Sequence, residues 1–254
     1  MGNYTMNEYY IVAFKSGSSG RLIGNIIWGL LQDGNHPYAL TDYNSTHDFT
    51  PYAVSFTIPS SENEARIYSN DQVYKRFMFV TDPGVITLHA FPDFDTIAAR
   101  YPTAKTIVIS YDEDDFVEIS GNSLLKNGFE TLSRPDPKHN NDSQFLGSIY
   151  YSVFGESYTG QNIPMHYKKE IFRVYERRVR QEFIDTSLYI NPVVPDSCLV
   201  LNYKDIHSNM ILTLEKLCAF TNRKPKDHVT SMYQDYILGR RRLIDIHMPW
   251  LNDK

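Results

Sequence analysis

Tyr9-Tyr10-Ile11-Val12-Ala13-Phe14-Lys15-Ser16-Gly17-Ser18-Ser19-Gly20-Arg21 is the stretch whose reading decides the fold. An apolar run rich in β-branched and aromatic residues breaks into a Gly/Ser turn. The turn opens a segment with Leu22, Ile23, Ile26, Ile27, Leu30 and Leu31 on one face. That is a buried strand, a tight loop and an amphipathic helix, in that order. Gly17 and Gly20 allow positive φ and close backbone approach, so successive N–H groups can converge on one point. The helix N-terminus adds about half a positive charge there, and the side chains of Lys15 and Arg21 bring full ones. Such a strand-loop-helix reads as an anion cradle for a phosphate or sulfate ester. The plainer alternative is a Gly/Ser turn that only joins strand to helix.

Strand and helix alternate through the rest of the chain. A short strand is expected within 53–57, and another from Val85 to His89 after Pro83-Gly84. Pro92 should start a helix through about Arg100, and Ala104 to Ser110 reads as a second central strand before a helix from about Asp114 to Lys126. Pro164 opens a long helix to about Asp185, with Ile171, Tyr175, Val179 and Phe183 in register. Cys198 falls in a strand over 197–202. Ser208 is expected to cap a helix with Met210, Ile211, Leu214, Leu217 and Cys218 inward. A last helix from about Lys226 should end at Gly239, before Arg240-Arg241-Arg242. This alternation implies an α/β fold, a central parallel sheet flanked by helices in three layers, as one domain over 1–254. Residues 73–81 read equally as strand or helix. The polar insert over 131–163, with a short helix possible within 145–154, belongs on the substrate side if it is a lid.

Composition narrows the function. Net charge of −5 and a pI near 5.9 argue against broad nucleic-acid or anionic-membrane binding, so an anionic ligand needs a local basic site. Only two cysteines occur, without metal-type spacing, and they read as buried hydrophobes in a reducing, cytoplasmic setting with no metal. No apolar run approaches the roughly 20 residues of a membrane span, so a soluble protein is expected.

The P-loop pattern G-x-x-x-x-G-K-[ST] is not met, because the lysine stands at the start of the loop. Lys15-Ser16-Gly17-Ser18-Ser19 directly after the first strand instead resembles the 5′-phosphosulfate loop of sulfotransferases. These enzymes use 3′-phosphoadenosine 5′-phosphosulfate (PAPS). The resemblance implies the P-loop NTPase-like architecture of that family. Thr87-Leu88-His89-Ala90-Phe91-Pro92 looks like the family's Lys-Thr-His-Leu-Pro strand end, whose histidine takes the acceptor's proton. Residues 104–120 look like its strand-turn-helix with an Arg and a Ser for the 3′-phosphate, which carries that role onto Ser120. Where the arginine would fall stands Asp112, within Asp112-Glu113-Asp114-Asp115. Leu199-Val200-Leu201-Asn202-Tyr203-Lys204-Asp205 is similar to the family's Tyr-Glu-Asp segment. Its basic Arg-Lys-Gly loop has a partial counterpart in Arg240 and Arg241, although Gly239 precedes them.

The resemblance implies sulfuryl transfer from PAPS to a hydroxyl or amine of a small-molecule, glycan or peptide acceptor. Lys15 suits the bridging oxygen of the donor, and Ser16, Gly17, Ser18, Ser19, Gly20 and Arg21 its 5′-phosphate. His89 is the expected general base, with Ser120, Arg240 and Arg241 toward the 3′-phosphate. The acidic turn at 112–115 opposes a phosphate and favours a second reading, a catalytically silent nucleotide- or anion-binding module of the same fold. A nucleotide-dependent kinase is a third.

Overall fold

The computed structural model describes residues 9–15, 17–31, 54–55, 84–88, 91–100, 102–124, 150–155, 163–182 and 188–252. Strands β1 (Tyr9–Ala13), β2 (Val54–Ser55), β3 (Gly84–Leu88), β4 (Lys105–Ser110) and β5 (Leu199–Asn202) form one sheet in the order β2-β3-β1-β4-β5. Every pairing is parallel. Ile11 stands opposite Ile86 on one side and Thr106 on the other, and Ile109 opposite Leu201. The middle strand is the most apolar, and Tyr10 to Phe14 are all buried. That two-sided burial is what a central parallel strand demands.

The helices are α1 (Gly20–Leu31), α2 (Phe94–Arg100), α3 (Asp115–Leu124), α4 (Met165–Glu182), α5 (Tyr203–Ser208), α6 (Met210–Thr221) and α7 (Asp227–His247), with a 3-10 turn at Pro249–Leu251. The apolar stripe of α1 expected from its spacing is wholly buried. α1 packs on β1 and β3 and against α6 and α7, whereas α3 packs against α4. From β1 the chain leads toward β2, and from β4 it leads the opposite way toward β5. Right-handed crossovers therefore put α1 and α3 on opposite faces. The crevice beyond the carboxyl ends of β1 and β4 is thus the topological switch point, where open α/β sheets hold ligands.

Several expectations needed correction. The last helix does not stop at Gly239; α7 continues through Arg240, Arg241 and Arg242 to His247. One interior glycine costs a helix only about 1 kcal/mol. Tyr236, Ile237, Arg240 and Ile244 are buried on either side of it and outweigh that cost. Ser208 is not a helix cap. Its hydroxyl donates back to the Lys204 carbonyl at 2.7 Å and closes α5, while Asn209 Oδ1 accepts the Leu212 N–H and starts α6. α5 itself was not foreseen, although Asn202 caps it by accepting the Lys204 N–H at 2.8 Å. α2 begins at Phe94, two residues after Pro92, and Cys198 lies just before β5. Residues 73–81 and most of the 131–163 insert lie outside the described residues. Among the described residues no helix is long and apolar enough to cross a membrane.

Candidate functional site

The loop leaving β1 is built by two left-handed residues. Ser18 N–H donates to the Lys15 carbonyl at 3.0 Å, closing a four-residue turn. Gly17, third in that turn, has φ 90°, which suits a glycine. The Ser18 hydroxyl donates to the same carbonyl at 2.7 Å. Ser19 follows with φ 64°, a conformation that strains a non-glycine residue by about 1 kcal/mol or more. Its carbonyl accepts the Ile23 N–H, so α1 begins at Gly20 with the leading N–H groups directed into the crevice. Gly20 serves close approach rather than positive φ. A Cβ there would stand 1.9 Å from Cγ of Phe14, whose ring lies on the helix start. Lys15 is buried at the base of the loop.

What holds this shape is a polar network beneath it. Three helices each contribute two residues one turn apart, hence on one face: Glu118 and Asn122 from α3, Tyr203 and His207 from α5, Tyr236 and Arg240 from α7. Asn122 Nδ2 donates to the Gly17 carbonyl at 3.3 Å and to the Tyr203 hydroxyl at 2.6 Å. Arg240, only 3% exposed, is the hub. It donates through Nε to Asn122 Oδ1 at 3.1 Å, through Nη1 to His207 Nδ1 at 3.2 Å, and through Nη2 to Tyr203 at 2.6 Å and to the Glu118 carboxylate. Ser19 Oγ joins it through His207 Nε2 at 2.9 Å and the Tyr236 hydroxyl at 3.1 Å.

Protonation in the network follows from its donors. Burial, then the charges of Arg240 and Arg241, hold the His207 pKa well below its ordinary 6.5, so the ring is neutral at neutral pH. A guanidinium can only donate, so His207 Nδ1 must be the bare nitrogen and Nε2 carries the hydrogen. His207 therefore donates to Ser19. Burial also pushes the Tyr203 phenol well above its usual range, and it stays protonated.

The structure gathers the loop residues expected at the donor: Lys15, Gly17, Ser18, Ser19 and Gly20 stand together at the end of β1. Ser16, His89 and the Arg21 side chain lie outside the described residues. Ser120 is buried, and its hydroxyl has no hydrogen-bond partner among the described residues. Two positions from both Glu118 and Asn122, it sits on the far side of α3 from Arg240. Arg240 faces inward and Arg241 is exposed. Asp112, Glu113 and Asp114 are exposed, and Asp115 Oδ2 accepts the Asp112 N–H at 3.1 Å. Glu118, Asn122, His207 and Tyr236 were given no functional role from sequence, and Tyr203 was noticed only within the segment similar to Tyr-Glu-Asp. The four-residue spacing within each pair is the one trace they leave in the sequence, and on helices as polar as α5 and α7 it does not set them apart.

The fold and loop define an α/β protein with a parallel sheet and a Gly/Ser loop at its switch point. No protein-family model matches the chain, and no curated protein matches it. Among solved structures it is similar to a sulfotransferase domain from the curacin biosynthetic pathway, at 12% identity over 88% of this chain and 77% of that one, with a TM-score of 0.33. That likeness is too distant to bear on activity.

Proposed function

We propose that the 15–21 loop binds the phosphate or sulfate ester of a nucleotide donor, and that the protein is a sulfotransferase-like enzyme using PAPS. The observation carrying this reading is the loop itself. Gly17 and Ser19, both left-handed, curl the backbone at the switch point above Lys15 and ahead of the α1 N-terminus. Backbone N–H groups set this way complement an oxyanion, and the helix dipole adds to them.

In the proposed reaction the acceptor oxygen or nitrogen attacks sulfur in line. The bond from sulfur to the bridging oxygen breaks, and its electron pair stays on the 5′-phosphate. Lys15 and the loop amides stabilise that charge, while His89 takes the acceptor's proton. Calorimetric titration with adenosine 3′,5′-bisphosphate tests the binding step. Saturable binding that Lys15→Ala weakens at least tenfold is expected; no binding at millimolar ligand would remove the reading. Transfer of labelled sulfate from PAPS, lost in His89→Ala, then tests the chemistry.

A silent nucleotide- or anion-binding module is the second reading. The exposed acidic turn at 112–114 and the inward commitment of Arg240 favour it, because both leave a 3′-phosphate short of positive charge. Binding without sulfate transfer to any acceptor would select it.

A further inference from the structure

We infer that His207 is the positioning residue of the loop, holding Ser19 in its left-handed conformation so that the N–H groups that follow converge on the anion. This rests on the anion-binding reading above. Ser19 is a non-glycine residue at φ 64° on the last step before α1, and such a conformation persists only where its surroundings over-determine it. Its hydroxyl is where that restraint is applied. It lies 2.9 Å from His207 Nε2 and 3.1 Å from the Tyr236 hydroxyl, so the loop is anchored to α5 and α7, far along the chain.

The direction of the bond to His207 is fixed from behind. Arg240 Nη1 donates to Nδ1 and forces the Nε2–H tautomer. Glu118 and Asn122 in turn hold the guanidinium. Arg240, anchored by the Glu118 carboxylate that accepts from it, thus donates to His207, and His207 in turn donates to Ser19. With His207 donating into Ser19 Oγ, one lone pair of that oxygen is filled. The hydrogen of Ser19 is then left for either Tyr236 or a bound oxyanion. An anion arriving at the loop can accept it if Tyr236 turns from acceptor to donor.

Paired substitutions separate this role from mere packing. His207→Gln keeps an N–H donor near the Nε2 position. His207→Asn keeps an acceptor for Arg240 but is too short to reach Ser19. In calorimetry with adenosine 3′,5′-bisphosphate, His207→Gln should stay within about twofold of the wild type. His207→Asn should lose roughly five- to tenfold, the worth of one hydrogen bond. In a Ser19→Ala background the two should bind alike, since the shared partner is gone. Thermal melting of each variant identifies any that fails to fold, and the Gln variant alone, folded and weakened tenfold, is already contrary. Equal affinity of the Gln and Asn variants while Ser19 is intact, or a Gln–Asn difference that survives Ser19→Ala, would overturn the inference while leaving the anion site standing. A wild type that does not bind would overturn both.

Discussion

The side-chain amide of Asn122 donates to the main-chain carbonyl of Gly17 at 3.3 Å, tying α3, which follows β4, to the loop that follows β1. The two strands on either side of the switch point are therefore joined above their ends as well as along their edges. The same amide also meets Tyr203 and Arg240, so one side chain closes three bonds in a buried place.

Asn122→Ala leaves the Gly17 carbonyl, the Tyr203 hydroxyl and Arg240 Nε each short of a partner. Unmade buried hydrogen bonds cost about 1–3 kcal/mol apiece, with some recovered by water. A loss of about 2–4 kcal/mol in urea unfolding is expected. A loss below about 0.5 kcal/mol would show that the network is not maintained in solution.

Gly20→Ala opposes two effects. Alanine gains up to about 1 kcal/mol of helix propensity. Against that, its Cβ would stand 1.9 Å from Phe14 Cγ, and a buried ring beside a central strand cannot move without disturbing the core. The clash should win by about 1–3 kcal/mol. Phe14→Leu, made in the Gly20→Ala protein, should recover part of that loss, and strict additivity of the two changes would contradict the contact.

Arg240 carries a positive charge in a nearly dry setting, balanced by Glu118. Its ring-facing contact with Tyr203, 5.8 Å from the centroid, adds a cation–π term. Glu118 is part-exposed, so solvent screens some of the pair's attraction, and losing the guanidinium's hydrogen bonds should cost about 1–3 kcal/mol. Arg240→Lys is not conservative here, because an ammonium cannot supply the planar fork that reaches Asn122, His207, Tyr203 and Glu118 together. Thermal melting should rank wild type well above Arg240→Lys; equal melting temperatures would refute the hub role.

His207 sets a pH dependence with a definite sign. Its folded pKa lies well below 6.5, so in that window the unfolded chain binds more protons than the folded one. Stability is then fully present above about pH 6.5 and falls as the solution is acidified below it, at up to roughly 1.4 kcal/mol per pH unit for one proton. His247, whose pKa is lowered by burial and by Lys168 at 3.1 Å, acts in the same direction. Denaturation midpoints at pH 7 and pH 5 for wild type and His207→Gln measure this. The substitution should flatten the slope, and an unchanged slope would assign it to other groups.

The frame was legible in the sequence because its signals are local. β1 and α1 follow from apolar runs and spacing, and β4 from one strongly apolar stretch between turn residues. The network was not legible, because nothing near Arg240 in the chain marks its partners. Glu118 and Asn122 lie more than a hundred residues away, and only the fold brings them together. Gly239 misled for the same reason: local propensity ended the helix there, while tertiary burial on both sides carried it on to His247. Ser19 was read as a hydroxyl for the ligand. Its left-handed backbone, which a serine does not advertise, is the larger finding.

The central claim is that the loop after β1 grips an oxyanion. Crystals soaked with adenosine 3′,5′-bisphosphate test it most directly. The 5′-phosphate should lie within about 3 Å of the backbone nitrogens at the start of α1 and in reach of Lys15. A nucleotide bound elsewhere, or an empty loop at saturating ligand, would contradict it.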